Sequence, residues 1–93
     1  MPILEATALD VVSNNNTGEY AVVVWNNKTT KYEAVVGVFI ISCGYPEDRA
    51  RRYTRIIHEE GKAICFWGSK SRCEEVVVDF KKIGVIAEII NNN

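Results

Sequence analysis

The body of the chain opens with Tyr20-Ala21-Val22-Val23-Val24-Trp25, and the other elements can be placed relative to this run. Its β-branched and aromatic residues, with no polar position between them, are typical of a strand that is buried on both faces. The residues that follow, 26–29, are Asn-Asn-Lys-Thr, which is the composition of a turn. The pattern therefore predicts a buried strand that ends directly in a polar turn.

A helix is predicted after this turn. Thr30 and Glu33 have the spacing of a capping box, with Thr30 as the residue that caps the helix. The helix that they open is apolar nearly all round, so we expect it to be the central buried helix. Gly44 is expected to stop it, because glycine readily adopts the left-handed conformation at a helix end.

The remaining sequence predicts two more helices and two more strands. The first of these helices runs from Pro46 to about Glu60 and is ended by Gly61, and a strand follows over Lys62–Trp67. The next helix is capped by Ser69 or Ser71 and ended by Gly84, and the last strand covers Val85–Ile90. The order strand, helix, helix, strand, helix, strand predicts an α/β (α+β) two-layer sandwich. In it, a three-stranded antiparallel sheet packs on the helices.

Length and composition fit one small domain. The chain has 93 residues, 47% of them hydrophobic, and a formal net charge of −1, so it has no global charge that would hold nucleic acid or an acidic membrane. The domain is predicted over residues 20–90, after a flexible leader of residues 1–19 and before a disordered tail of residues 91–93. The longest apolar run is too short to span a bilayer, and the first residues have no secretory signal.

Residue types that carry catalysis or bind metals are few and scattered. The sequence has one histidine, His58, and three cysteines without CxxC spacing, whereas a metal site needs three or four convergent ligands. No base–nucleophile pair is visible either, so we predict no catalytic residue, no metal and no cofactor. The cysteines are interpreted as reduced and mostly buried thiols, which indicates a reducing compartment.

Three polar features remain as candidates for a binding role. His58 is predicted near a helix end, which suits a ligand contact and a helix cap equally well. The arginines of the second helix have acidic neighbours at helical spacing, so this basic patch is interpreted as a solvated face that does not bind nucleic acid. The turn at residues 26–30 places two amide side chains beside a buried helix, and turn formation or ligand binding would each explain them.

Three stretches taken together resemble the Clp protease adaptor family, ClpS. They are Tyr20–Asn27, Tyr32–Val36 and Ile57–Ile64, and the last contains His-x-x-Gly-x-Ala-Ile. The resemblance extends from about Tyr20 to Ile89. It implies a ClpS-like fold with the element order given above, and a non-enzymatic adaptor. Such an adaptor captures proteins with an N-terminal Leu, Phe, Tyr or Trp and delivers them to a Clp AAA+ unfoldase and protease.

The resemblance also implies a binding site. Asn26, Asn27 and His58 would hold the α-amino group of the substrate. The side-chain pocket would be formed by Thr30, Tyr32, Val35, Thr54, Ile57 and Ile86. An α-amino group has a pKa of about 7.7–8.0 and three donors when protonated, so such a site needs acceptors. Burial of a Phe or Leu side chain beside them would contribute about 1.5–3 kcal/mol.

The turn departs from the family pattern at Asn27 and Lys28, where the family usually has two acids. Hydrogen bonds to charged groups contribute about 1.5–3 kcal/mol, so the loss of a carboxylate would cost roughly tenfold or more in affinity. Two alternatives therefore stay open beside the adaptor: the same domain in an N-degron ubiquitin ligase, and a divergent adaptor that binds the ATPase without recognising N-degrons. The implied partners are N-terminal segments of substrates and the N-terminal domain of a Clp ATPase. The implied compartment is the cytoplasm, or the plastid stroma for an organellar protein.

Overall fold

The computed structural model describes residues 18–92. In chain order, its elements are β1 (Tyr20–Trp25), α1 (Tyr32–Cys43), α2 (Glu47–Glu60), β2 (Lys62–Gly68), α3 (Lys70–Lys81) and β3 (Ala87–Asn91). The three strands form one antiparallel sheet in the order β2-β1-β3. The predicted α+β class and element order are therefore confirmed, with β1 as the central strand.

The two ends of the described chain meet beside the start of β1. Asn91 is the last residue of β3, and the backbone N–H of Asn92 donates to the carbonyl oxygen of Glu19 at 2.8 Å. The side-chain amide of Asn92 also donates to the carbonyl of Gly18 at 2.8 Å. Backbone pairing thus continues two residues into the predicted tail, while the other residues of the predicted leader and tail lie outside the described range.

The pairing of β1 with β2 contains a β-bulge. Val22 pairs with Phe66 but Val23 pairs with Ile64, which leaves Cys65 as an extra residue on β2. Cys65 and Phe66 are both buried, although neighbouring side chains of a regular strand point to opposite faces. The bulge therefore lets β2 bury two successive side chains, and it bends the strand locally.

The core lies between the sheet and the helices and is built around aromatic rings. Phe39 of α1 and Phe80 of α3 are both fully buried, and their ring centroids are 5.1 Å apart in an edge-to-face arrangement. Tyr53 of α2 packs on Phe39 with a centroid distance of 5.7 Å. Val22 and Val24 of β1 close the cluster from the sheet. Each helix thus contributes a ring to one shared cluster.

α1 begins without the predicted capping box. Its N-cap residue is Lys31, whose side chain makes no capping hydrogen bond, and its first helical residue is Tyr32. The hydroxyl of Thr30 donates instead to the carbonyl oxygen of Ile83 at 2.9 Å. The capping-box prediction was wrong because Thr30 bonds across the molecule, to the segment that precedes β3.

α1 is also more exposed than its composition predicts. Val36 and Phe39 are buried, whereas Ile41 is 86% exposed. The physical reason is that α1 packs on α2 and α3, so one of its sides stays at the protein surface. The expectation of a helix buried all round was therefore wrong.

The other predicted ends need only small corrections. Gly44 follows α1 with a φ of 74°, as expected for a glycine that ends a helix, and the hydroxyl of Ser69 accepts from the backbone N–H of Arg72 at the start of α3. β3 begins at Ala87, two residues later than predicted. The two residues before it form part of the connection from α3.

Candidate binding site

A cavity of about 190 Å³ opens where β1 ends. It lies between the loop at residues 26–31, the first turn of α1, the second half of α2 and the segment that precedes β3. All of the predicted site residues except Ile86 line it. The structure thus brings together, in one place, side chains that are widely separated in the sequence.

The floor of this cavity is apolar. We define the floor as five lining residues that are buried or half-buried and carry aliphatic groups. They are Val24, Val35, Thr54, Ile57 and Val85. The hydroxyl of Thr54 donates to the carbonyl oxygen of Ala50 at 2.7 Å, within its own helix. Because this hydroxyl is satisfied, Thr54 adds no free polar donor to the floor.

Val85, and not Ile86, completes the floor. Val85 is 2% exposed and lines the cavity, whereas Ile86 is 65% exposed and lines a separate depression beside α3. The backbone N–H of Trp25 donates to the carbonyl of Ile86 at 3.0 Å, which fixes this segment against β1. The prediction of Ile86 was therefore off by one residue, and successive side chains of an extended segment point to opposite sides. The alternation of side chains between the two sides of this extended segment is the signal that would have identified Val85.

The mouth of the cavity carries its polar and aromatic groups. We define the mouth by the exposed lining residues, which are Trp25, Asn26, Lys28, Tyr32 and His58. The rings of Tyr32 and His58 meet nearly edge to face, with centroids 6.3 Å apart. The hydroxyl of Tyr32 donates to the carbonyl oxygen of Arg51 at 3.2 Å, so this ring is held against α2.

Strand pairing brings Asn26 and His58 to the same mouth. Trp25, the last residue of β1, pairs with Lys62, the first residue of β2, and the backbone N–H of Asn26 donates to the carbonyl oxygen of Gly61 at 2.8 Å. Gly61 ends α2 with a φ of 95°, which favours glycine, and His58 lies in the last turn of that helix. The end of β1 and the end of α2 are therefore fixed side by side.

The side chain of Asn27 holds the loop. Its amide oxygen accepts from the backbone N–H of Thr29 at 2.9 Å and from the Thr29 hydroxyl at 2.8 Å, and its amide nitrogen donates to the carbonyl of Gly84. An amide oxygen has two lone pairs, and both are used here. Asn27 is predicted to contact an α-amino group, and these hydrogen bonds give its side chain a structural role in the loop as well. The side chain of Asn26, by contrast, makes no hydrogen bond to another described residue.

This difference gives a stability prediction. Asn27→Ala removes the hydrogen bonds that join the loop to Thr29 and Gly84, so we expect a loss of about 1–2 kcal/mol in the free energy of unfolding. Asn26→Ala is the matched control, because it changes the neighbouring residue and removes no hydrogen bond between described side chains. Urea denaturation of both variants measures the effect. Equal midpoints for the two variants would contradict the assigned role of Asn27.

The described residues that line the cavity include no carboxylate. Among the described residues that line it, Lys28 is the only cation and none is an Asp or a Glu. Glu33, close by on α1, is bound by the guanidinium of Arg51 at 2.8 Å, which also contacts Glu47 at 2.8 Å. The hydrogen bond from Arg51 holds the pKa of the Glu33 carboxyl below its ordinary value. Among the described side chains at the mouth, the amide of Asn26 and the imidazole of His58 are groups that can accept hydrogen bonds.

Other chemistry has little support in the part of the chain that the structure describes. Over residues 18–92, no group of three His, Cys, Asp or Glu side chains is arranged to hold a metal ion. Burial raises the pKa of the Cys43 thiol to about 12, and Cys65 and Cys73 are buried, so these thiols are poor nucleophiles. The helices of this range also include none that is long and apolar enough to span a membrane.

Comparison with known proteins identifies relatives of this chain. The sequence model of the family described as ATP-dependent Clp protease adaptor protein ClpS matches residues 15–84. Among solved structures, the chain is similar to Agrobacterium tumefaciens ClpS2 bound to L-phenylalaninamide. The TM-score is 0.70 and the sequence identity 22%, over 77% of this chain and 94% of that chain. At this identity the likeness establishes a shared fold. No curated protein matches the sequence.

Proposed function

The chain belongs to the ClpS family of Clp protease adaptors, and from this premise we propose that it binds the free α-amino group and the bulky hydrophobic first residue of substrate proteins. The proposed first residues are Leu, Phe, Tyr and Trp. The proposed partner that receives the substrates is a Clp AAA+ unfoldase, through the N-terminal domain of that ATPase. The protein acts as a binding module and not as an enzyme, in the cytoplasm or in the plastid stroma.

One observation carries this proposal: the side chains of Asn26 and His58 stand at the mouth of a cavity whose floor is apolar. Asn26 and His58 supply acceptors for the donors of an α-amino group, and the floor supplies an apolar environment for the adjoining side chain. The volume of about 190 Å³ is below that of pockets for drug-sized ligands, which suits a single side chain.

The ligand of the structural relative supports the same proposal. L-Phenylalaninamide, which is bound to Agrobacterium tumefaciens ClpS2, has a free α-amino group and a phenylalanine side chain. These are the two chemical features that the mouth and the floor suit here. A ligand of this kind would place its amino group between Asn26 and His58 and its ring toward Val35, Ile57 and the other floor residues.

The lack of a carboxylate favours a second candidate function. Over residues 18–92, the lining of this site has Lys28 and no acid, so it attracts an ammonium group less strongly than a site with acids does. The second candidate is an adaptor that binds the Clp ATPase without recognising N-degrons. The two candidates differ in whether free N-terminal peptides bind, so one binding experiment separates them.

That experiment is fluorescence anisotropy with labelled peptides that differ only at the first residue. We expect peptides with free N-terminal Phe, Leu, Trp or Tyr to bind at least tenfold more tightly than the Ala peptide, because burial of a large side chain contributes about 1.5–3 kcal/mol. N-Acetyl-Phe, which lacks the ammonium group, is expected to lose binding by tenfold or more. If the folded protein binds none of the free peptides, the adaptor without N-degron recognition is the better description.

Delivery to the protease is tested separately. A reporter with an N-terminal Phe is incubated with a purified Clp ATPase and its peptidase, with and without this protein. Faster degradation of the Phe reporter, and not of a matched Ala reporter, is the expected result. An unchanged rate for the Phe reporter, despite binding of the Phe peptide, would contradict the delivery step alone.

A further inference from the structure

We infer that Lys28 makes this site select for an acidic residue at the second position of the bound N-terminal peptide. The inference rests on the proposed function, because it concerns the residue that follows the one held in the cavity. It extends that function from the first residue of the substrate to its neighbour.

The geometry of the cavity fixes where the second residue lies. A first residue that points its side chain at the buried floor must leave the rest of the peptide chain at the exposed mouth. Consecutive Cα atoms are about 3.8 Å apart, so the second residue lies immediately outside the first. The side chain of the second residue is therefore at the level of the mouth, where Lys28 is located.

The ammonium group of Lys28 is available for such a contact. Lys28 is exposed, and it makes no ion pair or hydrogen bond with the other described side chains. A second cation stands next to the mouth, since the ammonium group of Lys62 lies 4.5 Å from the centroid of the Trp25 ring. Trp25 lines the cavity, so Lys62 lies beside the mouth, while Lys28 lines it.

Lys28 has no acidic counterpart among the described residues that line the cavity. None of the described lining residues is an Asp or a Glu, and the carboxylate of Glu33 is already bound by Arg51 at 2.8 Å. Among the described lining residues, the fixed charge that a second residue meets is therefore the positive charge of Lys28. An Asp or Glu at this position is attracted, whereas a Lys or Arg is repelled.

The size of the effect follows from the exposure of the groups. A solvent-exposed ion pair changes affinity by up to about fivefold, and replacing attraction with repulsion widens the difference. We therefore expect a peptide with Asp at the second position to bind about three- to tenfold more tightly than one with Lys. Because the groups are exposed, salt at physiological ionic strength and above reduces the difference, with a screening length of about 8 Å at 0.15 M.

The test uses three peptides that begin Phe-Asp, Phe-Ser and Phe-Lys and are otherwise identical. Their affinities are measured by anisotropy, at low and high salt, for the wild-type chain and for Lys28→Glu. Lys70→Glu is the matched control. It makes the same change of charge on an exposed residue, the first of α3, two positions after β2 ends at Gly68. This end of β2 pairs with the start of β1, far from the cavity.

We expect the wild-type chain and Lys70→Glu to prefer Phe-Asp over Phe-Lys, and Lys28→Glu to reverse this order. The inference is overturned if the wild-type chain binds all three peptides equally, or if Lys28→Glu keeps the wild-type order. Either result leaves the proposed function intact, because the Phe-Ser peptide still binds. A failure of all three peptides to bind overturns the proposed function and the inference together.

Discussion

Replacement of Asn26 with alanine is expected to weaken the binding of a free N-terminal Phe peptide by about tenfold to a hundredfold. The amide oxygen of Asn26 is an acceptor that the mouth offers to an α-amino group. Hydrogen bonds to charged groups contribute about 1.5–3 kcal/mol, which corresponds to this range of affinity. Anisotropy with the peptide series described above measures the loss, and His58→Ala is expected to have a similar effect.

Asn26→Asp is the informative companion to this variant. It keeps an acceptor at the same position and adds a negative charge, so we expect it to bind the ammonium group more tightly than the wild-type chain does. The thermal midpoint of Asn26→Ala should equal that of the wild-type chain, because this side chain is exposed and has no hydrogen-bond partner among the described residues. Unchanged peptide affinity in both Asn26→Ala and His58→Ala would refute the site.

The second large effect concerns the core. Phe39→Ala is expected to lower the free energy of unfolding by about 3–5 kcal/mol, because it leaves a cavity at a fully buried position where three other aromatic rings pack. The total stability of a domain is about 5–15 kcal/mol, so this variant is expected to be partly or largely unfolded. Urea denaturation followed by circular dichroism measures it.

Ile41→Ala is the matched control for this variant, since it removes a large apolar side chain from the same helix. Ile41 is exposed, so we expect a change within about 0.5 kcal/mol. The comparison separates the buried side of α1 from its exposed side. Similar losses for the two variants would mean that α1 is buried in solution on both sides, contrary to the packing described above.

Local sequence patterns were sufficient for most of the fold. The β-branched run at Tyr20–Trp25 is the strand that it predicts, and Gly44 and Gly61 end the two helices before them with positive φ. These signals act within a few residues of the chain. A buried strand needs apolar side chains in sequence, and a helix end needs a residue that tolerates the left-handed conformation.

Patterns failed where a partner distant in sequence decides the outcome. The hydroxyl of Thr30 had a local partner in the predicted capping box but bonds to Ile83 instead. Asn27 likewise bonds to Gly84, so both loop residues are committed to the segment before β3. The exposure of Ile41 depends on which side of α1 the other helices cover. None of these contacts can be deduced from spacing along the chain.

The site itself was predicted through family resemblance and not through periodicity. Asn26 and His58 lie far apart in the sequence, and they share a mouth only because the end of β1 pairs with the start of β2. A lone histidine near a helix end has no local feature that points to an asparagine in a distant turn. The choice of Ile86 over Val85 shows the same limit, since one residue of register decides which side chain faces the cavity.

The bulge in β2 marks one end of a segment in which a residue cannot be inserted or deleted without disturbing the site. The register of β1 against β2 steps from Phe66 to Ile64 across this bulge, and the two halves of β2 keep their own partners in β1 on either side of it. A residue inserted or deleted between Gly61 and the bulge would instead move Gly61 one step from the backbone N–H of Asn26, and His58 with it. Substitutions in this half-strand change side chains alone, whereas a change in its length misaligns the two acceptors. The number of residues between His58 and the bulge is therefore constrained, whichever residues these are.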